Sequence, residues 1–260
     1  MIFRIKSSEI LNYYKNPSQH STFEPMLKGH FYLIPNFLGS GNKDDISVNQ
    51  LKQIYSIKEF IVESEKAARA FLKTIEHPLP QNDFIFHLLN EHSRDKEDLT
   101  PFFKNCLQGK MLGLLSDAGI PCVADPGNRA VSFAHKNKIK VVPLSGPSSI
   151  YLALMASGFN GQNFTFHGYL PVEQPLRIKK IKAIEQLILS TGQTQIFMET
   201  PYRNAKLLEQ LLTILKPQTK LCVAVNITNE HEQIVTKEVA NWNIKDVNVN
   251  KEPCIFLIGN

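Results

Sequence analysis

The segment SDAGIPCVADPG at 116–127 contains the acidic side chains best placed for chemistry in this sequence. It carries Asp117 and Asp125 among two glycines and two prolines, and it follows the apolar run MLGLLS at 111–116. Because glycine permits a positive φ and proline stiffens the chain, such a loop can bring backbone and carboxylates close to a ligand. Asp117 can bond a ligand hydroxyl or ammonium group, or it can bond local amides as in a structural loop.

Two further loops carry residue types suited to ligand contact. IPNFLGSGN at 34–42 places Pro35 and Gly39 after an apolar run, and SGPSS at 145–149 places Ser148 and Ser149 before a helical stretch. A loop of the first kind lets backbone approach a ligand, although an ordinary turn has the same composition. The serine hydroxyls can meet a ligand carboxylate or cap the helix, which is their commoner use.

Two segments in the second half end predicted strands with carboxylate and amide side chains. They are METPYR at 198–203 and NITNEHE at 226–232. Ligands of open α/β sheets gather at the carboxyl ends of strands, so these segments are candidates for a site with the three loops above. Surface turns are the simpler interpretation of both.

Short apolar runs alternate with amphipathic helical stretches from Phe31 onward, a pattern typical of α/β units. The helical stretches include 178–188, with isoleucines on one face, and 201–215, which begins after Thr200 and ends before Pro217. The predicted strands are FYLIP at 31–35, EFIVE at 59–63, DFIFHL at 83–88, MLGLLS at 111–116, IKVVPL at 139–144, QIFM at 195–198, LCVAVNI at 221–227 and CIFLIG at 254–259.

This spacing predicts α/β units, and a chain of this length could form one large domain or two smaller ones, with SGPSS as the best candidate for a domain junction. We expect an N-terminal domain at 31–144 and a C-terminal domain at 145–260, with the junction at SGPSS. Residues 1–30 show neither periodicity nor strand pattern, and we treat them as an extension of unknown role.

Composition narrows the class of protein. The chain has 260 residues, 43% of them hydrophobic, a net charge of +5 and four scattered cysteines. There is no apolar run of membrane-spanning length and no secretory signal, so we expect a soluble cytoplasmic protein without a membrane partner. The basic run at 177–182 could contribute to a nucleic-acid groove, but such runs more often form a solvated helix face.

Several familiar motifs do not occur. The sequence lacks GxGxxG, GxxxxGK[ST], HExxH and GxSxG, which argues against dinucleotide, ATP, zincin and hydrolase chemistry. It also offers no cluster of residues with metal-ligand spacing, and we predict no metal site.

Taken in order, the loops resemble those of the tetrapyrrole methylase superfamily, and most closely its branch that 2′-O-methylates a cytidine of small-subunit ribosomal RNA. That branch reads LYxVPTPIGN, SDAGxPxxxDPG, VxPxPGPSA, GFLP, ExPHR and ELTKxHE. The corresponding segments here are FYLIPNFLGSGN, SDAGIPCVADPG, VVPLSGPSS, GYLP, ETPYR and NITNEHE, and the similarity runs from Phe31 to the C-terminus.

The resemblance implies a two-domain α/β fold with S-adenosylmethionine bound in the cleft between the domains, in a homodimer, and ribosomal RNA or the small ribosomal subunit as partner. Carried over by position, the residues around the donor are Pro35, Asp117, Ala118, Gly119, Ile120, Pro121, Ser148, Ser149, Met198, Glu199, Asn226 and Ile227.

The chain departs from the RNA-modifying branch at three places. The branch reads AAEDTR where this chain reads IVESEKAAR, which keeps Glu63 but puts Lys66 in place of an arginine. Lysine keeps the charge and loses the planar fork that grips phosphate. ELTK becomes NITN, and an HDHNE segment survives only as His87, Asn90 and Glu91.

A ribose hydroxyl is weakly acidic and benefits from a general base. The candidates are Glu63, Glu199 and His87. Each has a structural alternative: Glu63 could pair at a helix start, Glu199 could form an ion pair with Arg203, and His87 could be a half-buried strand residue.

Two other functions remain open from the sequence. The first is methylation of a small molecule such as a tetrapyrrole, which would require several arginines around a deep pocket; few arginines lie in the motif loops. The second is a non-catalytic module that binds S-adenosylmethionine, which the altered ESEK and NITN segments make plausible.

Overall fold

A computed structural model describes residues 28–89 and 98–260 of the chain. The expected extension at 1–30 therefore lies outside the described residues except for its last three. Asn90 and Glu91, the remnant of the HDHNE segment, also lie outside them.

The first sheet has five parallel strands in the order β3-β2-β4-β1-β5. The strands are β1 His30–Ile34, β2 Glu59–Val62, β3 Ile85–Leu88, β4 Leu112–Leu115 and β5 Lys140–Pro143. In the described part of the chain, four α-helices lie between these strands: α1 Val48–Tyr55, α2 Glu65–Thr74, the single turn α3 Thr100–Phe103, and α4 Asn128–Lys136.

The central strands of this sheet are buried on both faces. Every residue of β2 and β4 is buried, as expected for parallel strands covered by helices on both sides. One face packs Phe60 against Leu72 of α2, and the other packs Phe31 against Phe103, whose rings meet edge to face at 5.0 Å. Burial thus fixes the register of the sheet, and with it the edge at which its loops emerge.

The second sheet is mixed, with the order β6-β7-β10-β8-β9. Its strands are β6 Phe164–Tyr169, β7 Thr194–Met198, β8 Lys220–Val225, β9 Gln233–Glu238 and β10 Cys254–Gly259, and its helices are α5 Ser149–Ser157, α6 Gln174–Thr191 and α7 Asn204–Ile214. Only β6 and β7 run parallel; β10 is antiparallel to both its neighbours, and β9 is antiparallel to β8.

Helices cover both faces of the second sheet. Ile181 and Ile184 of α6 and Leu208 of α7 pack in one core with Phe197 and Phe256. On the opposite face, α5 packs on strands β7, β8 and β10 and ends at Gly158, whose φ of 79° gives the left-handed cap expected of a glycine there.

Arg177 does not contribute to a solvent-exposed basic face. It is buried, its Nε donates to Gln210 Oε1 at 2.7 Å, and its Nη1 donates to the carbonyl oxygens of Pro171 and Val172. The guanidinium therefore joins α6 to α7 and to the segment before α6, and the basic run at 177–182 loses its only arginine as a candidate for RNA contact.

The architecture is a two-sheet α/β fold, as the sequence predicts. The predicted boundary at 145 falls between the last strand of the first sheet and the first strand of the second. Among residues 28–89 and 98–260, no helix combines the length and the apolar character needed to cross a membrane.

Candidate functional site

The loops after β1 and β4 are joined by backbone and side-chain hydrogen bonds. Asn36 and Gly119 form an isolated antiparallel bridge, with N···O distances of 2.9 and 3.1 Å. The buried amide of Asn36 also donates to the carbonyl oxygens of Ser116 and Asp117, at 3.1 Å each. Since β1 and β4 are neighbours, these bonds hold the two loops at one edge of the first sheet.

The loop after β4 has the unusual backbone that its composition predicts. Gly119 has a φ of 69°, and Cys122 and Ala124 have φ values of 69° and 60°. For residues with a Cβ this left-handed conformation is uncommon and costs free energy. Such a loop is held in place by its surroundings, and it is shaped to present backbone and short side chains.

Three carboxyl groups gather beside this loop: Glu63 after β2, and Asp117 and Asp125 within the loop. Burial raises the pKa of Glu63 to about 8, and a hydrogen bond to Asp125 and the nearby charges of Asp125 and Asp117 add to the rise, against a bond from the Asp117 backbone amide. Burial also raises the pKa of Asp117, although the Ser64 amide donates to it. Like charges this close disfavour ionisation, so Glu63 holds its proton near neutral pH and is hydrogen-bonded to Asp125.

The second half contributes Glu199, directly after β7. Its carboxylate is buried and accepts from the backbone N–H of Thr200 at 2.7 Å and from Arg203 Nη2 at 2.5 Å. The ion pair that the sequence suggests for Glu199 is therefore present. Arg203 and the Thr200 amide therefore fix the position of this buried carboxylate.

The turn after β8 is held by hydrogen bonds to the two residues that precede β10. Asn226 has a φ of 52°, its N–H donates to the carbonyl of Pro253 at 3.0 Å, and its Nδ2 donates to Glu252 Oε2 at 2.9 Å. This amide therefore braces the turn, and the neighbouring Ile227 is buried against α5.

A cavity of about 290 Å³ opens where these loops meet. Its wall combines an apolar surface with the carboxylate of Glu199, the hydroxyl of Ser149 and the amide of Asn229, which is the composition of a small-molecule site. It is lined by Leu38, Ala118, Val123, Ala124, Ser149, Ile150, Tyr169, Met198, Glu199, Pro201, Ala224, Ile227, Asn229, Pro253, Cys254 and Ile255.

Five of the twelve predicted donor contacts line this cavity: Ala118, Ser149, Met198, Glu199 and Ile227. Pro35 instead lines a neighbouring cavity of about 280 Å³ behind the loop after β1. The other six do not line the cavity: Asp117, Gly119, Ser148 and Asn226 each adjoin a lining residue in sequence, and Ile120 and Pro121 lie between the lining residues Ala118 and Val123 without adjoining either.

The sequence profile of the family "Tetrapyrrole (Corrin/Porphyrin) Methylases" matches residues 31–242, which is most of the chain. The chain belongs to this family. It is therefore an S-adenosylmethionine-dependent methyltransferase, and the match begins at the first strand described above.

Similar proteins and a similar solved structure support the same family assignment. This methylase is 29% identical to "Ribosomal RNA small subunit methyltransferase I" of Vibrio cholerae serotype O1, over 87% of this chain and 76% of the relative. It is 26% identical to the protein of the same name from Halalkalibacterium halodurans, over 90% of this chain and 77% of the relative. The crystal structure of the methyltransferase CobJ superimposes with a TM-score of 0.57 at 15% identity, covering 89% of this chain and 94% of CobJ, which shows a common fold.

The three predicted general bases of this methylase lie in different surroundings. Glu63 lies in the carboxyl cluster, and Glu199 lies in the cavity wall. His87 lies on β3, where Nε2 is 2.7 Å from Glu59 Oε1 and the ring stacks on Phe102 at 4.8 Å. These contacts place His87 in a partly buried pair on the sheet, as in the structural alternative, and away from the contacts of the other two candidates.

Sequence reasoning missed several residues that line the cavity of this methylase. Leu38, Val123 and Ala124 lie inside the segments 34–42 and 116–127, which the sequence indicates as ligand loops, so their position in these loops could have identified them as lining residues. Tyr169 belongs to the GYLP motif, and Asn229 lies three residues after Asn226 in NITN. No residue pattern assigns these two to the cavity; the fold brings them there.

Proposed function

We propose that this methylase transfers a methyl group from S-adenosylmethionine to a ribose 2′-hydroxyl of RNA in the small ribosomal subunit. The observation that carries the proposal is the position of the Glu63–Asp125 pair beside the cavity. Asp117 and Ala118 are consecutive, as are Ala124 and Asp125, and both alanines line the cavity. Asp125 thus directly follows a cavity-lining residue in sequence, and Glu63 is hydrogen-bonded to Asp125.

The cavity fits the proposed donor. A thioether or sulfonium side chain with an adenosine needs an apolar wall and a few polar groups, and the wall supplies Leu38, Met198 and Ile227 with Ser149 and Glu199. The buried carboxylate of Glu199 is suited to a hydroxyl or ammonium group. We assign the cavity to S-adenosylmethionine on this basis, with Asp117, Ser148 and Asn226 supporting the lining residues.

S-adenosylmethionine, when bound, supplies an activated methyl group. The protein holds the acceptor oxygen in line with that group and excludes water, which can contribute roughly 7–11 kcal/mol in favourable cases. The ionised form of Glu63, whose share grows as pH rises toward about 8, takes the proton of the ribose hydroxyl while the new O–CH₃ bond forms and the S–CH₃ bond of the donor breaks to leave a neutral thioether. No metal ion has a part in this scheme.

Glu63 suits the role of base better than the other two candidates. Glu199 already accepts hydrogen bonds from Arg203 and from the Thr200 backbone N–H, which occupy lone pairs that a base would offer to the hydroxyl. His87 is paired with Glu59. Glu63 is the candidate whose pKa is raised, to about 8, so its carboxylate is the strongest base of these carboxyl groups.

Ribosomal RNA is favoured over a tetrapyrrole as acceptor. Two relatives that match most of the chain carry the name of a small-subunit ribosomal RNA methyltransferase. A tetrapyrrole carries many carboxylates, and of the described residues that line the cavity none is arginine or lysine. With this acceptor, we propose that the enzyme acts in the cytoplasm and that it is a homodimer. Sedimentation velocity would measure the mass of the assembly and so test the dimer.

A transfer assay with matched acceptors tests the proposal. Labelled S-adenosylmethionine is offered with small ribosomal subunits lacking their own 2′-O-methylation, with naked ribosomal RNA, or with a uroporphyrinogen. We expect label in the ribosomal RNA only. Label in the tetrapyrrole, or donor binding by calorimetry with no transfer to any RNA, would overturn it.

A further inference from the structure

A contact crosses from the loop after β1 to the turn after β8, which belong to different sheets. The backbone N–H of Ser40 donates to Asn229 Oδ1 at 3.1 Å. A Cβ atom on Gly39 would lie 1.9 Å from Asn229 Oδ1 and 2.4 Å from its Cγ. The carboxamide of Asn229 therefore occupies the space that any larger residue at 39 would require.

Hydrogen bonds within the turn after β8 hold Asn229 in place. The N–H of Asn229 donates to the carbonyl of Asn226 at 2.9 Å, and the N–H of Thr228 donates to Glu232 Oε2 at 2.8 Å. Thr228 has a φ of 70°, in the left-handed region like Asn226. Because Asn226 is itself fixed to Pro253 and Glu252, the turn holds the Asn229 side chain at a defined position.

This contact forms part of the wall of the donor cavity. Leu38 and Asn229 both line it, and Leu38 also lines the neighbouring cavity of about 280 Å³, together with Thr228. The segment Leu38–Ser40 and the turn thus separate the two cavities. A shift of either segment would change the shape of the space proposed for the donor.

We propose that Asn229 is a positioning residue for the methyl donor: its carboxamide holds the segment Leu38–Ser40 in place, so that Leu38 closes one side of the donor cavity. This inference rests on the proposed function, since the occupant is taken to be S-adenosylmethionine. The residue acts through the loop after β1 and takes no part in methyl transfer.

The contact is a property of this chain. In the RNA-modifying branch that the sequence resembles, the segment reads ELTK, with lysine at the position of Asn229. Lysine has three donors and no acceptor, so it cannot accept the hydrogen bond from the Ser40 amide. In this chain Asn229 therefore stands in place of a charged lysine, and its neutral side-chain oxygen accepts from the Ser40 backbone N–H.

A double-mutant cycle tests the inference, with calorimetric binding of S-adenosylmethionine and S-adenosylhomocysteine as the first measurement. We expect Asn229→Ala to weaken binding about fivefold, the effect of losing one net hydrogen bond. Asn229→Asp keeps the Oδ1 acceptor and should restore most of the affinity. Gly39→Ala should displace the carboxamide and weaken binding by a similar factor.

The double variant carries the decisive result. The double variant Gly39→Ala with Asn229→Ala has no clash, because the carboxamide that the new Cβ would meet is gone. Both substitutions remove the same contact, so the second should cause no further loss of donor affinity. In steady-state kinetics, KM for the donor should rise in Asn229→Ala while kcat at saturating donor is unchanged, a split that general destabilisation would not produce.

Each failure has its own signature. Unchanged donor affinity in Asn229→Ala, or losses in the two single variants that simply add, would overturn the inference while leaving the proposed function intact. Wild-type protein that binds neither ligand would contradict the proposed function, and the inference with it.

Discussion

At the scale of residues, the proposed proton transfer of this methylase depends on the carboxyl pair of Glu63 and Asp125. Glu63 directly follows β2, two residues before the start of α2, and Asp125 lies near the end of the loop after β4. The carboxylate of Asp125 also accepts from the Gly127 amide at 2.8 Å, which fixes its orientation. The pair is therefore positioned by two strand ends and by the local fold of one loop.

Replacing Glu63 tests its role as base. We expect Glu63→Gln to lower kcat for methyl transfer by about 10²–10⁴-fold, the usual contribution of a general base. Donor affinity should stay within about twofold of wild type, because Glu63 is not among the described cavity-lining residues. Glu65→Gln is the matched control, since Glu65 is bound to Arg69 on α2. Equal activity of the two variants would exclude Glu63 as the base.

The same substitution predicts a change in the pH dependence of stability. The pKa of Glu63 is about 8 in the folded protein against an ordinary value of 4.5. Between these values the folded state binds more protons than the unfolded state, so the free energy of unfolding falls as pH rises. Glu63→Gln should remove this contribution and give a flatter profile in urea unfolding between about pH 5 and pH 8. Parallel profiles would show that Glu63 titrates normally.

At the scale of elements, the strand ends determine which residues can meet. β1, β2 and β4 are buried apolar runs, and the sequence predicts them for that reason. The sequence did not predict β6 and β9. β6 is partly exposed and shifts its register against β7, and β9 is a half-exposed edge strand, so neither shows a continuous apolar run.

The packing of β4 depends on a residue without a side chain. A Cβ atom on Gly113 would lie 2.7 Å from a ring carbon of Phe60 and 2.8 Å from Ile34 Cδ1. We expect Gly113→Ala to lower the free energy of unfolding by about 1–3 kcal/mol through overpacking. Gly161→Ala is the control, because its Cβ would meet no atom within 4 Å. Urea unfolding that gives the two variants equal stability would contradict this packing.

At the scale of the whole molecule, the cavity exists because two sheets present their loops to each other. The motif order in the sequence predicts the two-domain α/β fold, and it supplies five lining residues. It does not predict the contact between Gly39 and Asn229, which are 190 positions apart. It also does not predict that His87 pairs with Glu59, since that contact depends on the register of β3 against β2.

The sequence also does not predict that the carboxyl groups of Glu63 and Asp125 form a pair. Glu63 could be identified as a candidate base, but the proximity of Asp125 depends on the course of a loop with three residues of positive φ. Residue types and their order thus indicate which chemistry is available. The folded loops decide which of these groups lie close enough to interact.

The position of the methyl group in the product tests the central claim most directly. Small ribosomal subunits that lack their own 2′-O-methylation are treated with the protein and labelled S-adenosylmethionine, and the RNA is digested to nucleosides for mass spectrometry. We predict label in 2′-O-methylcytidine, with little in the Glu63→Gln reaction. Label on a base, or an unlabelled RNA from a protein that binds the donor, would contradict the assignment of a ribose 2′-hydroxyl as the acceptor.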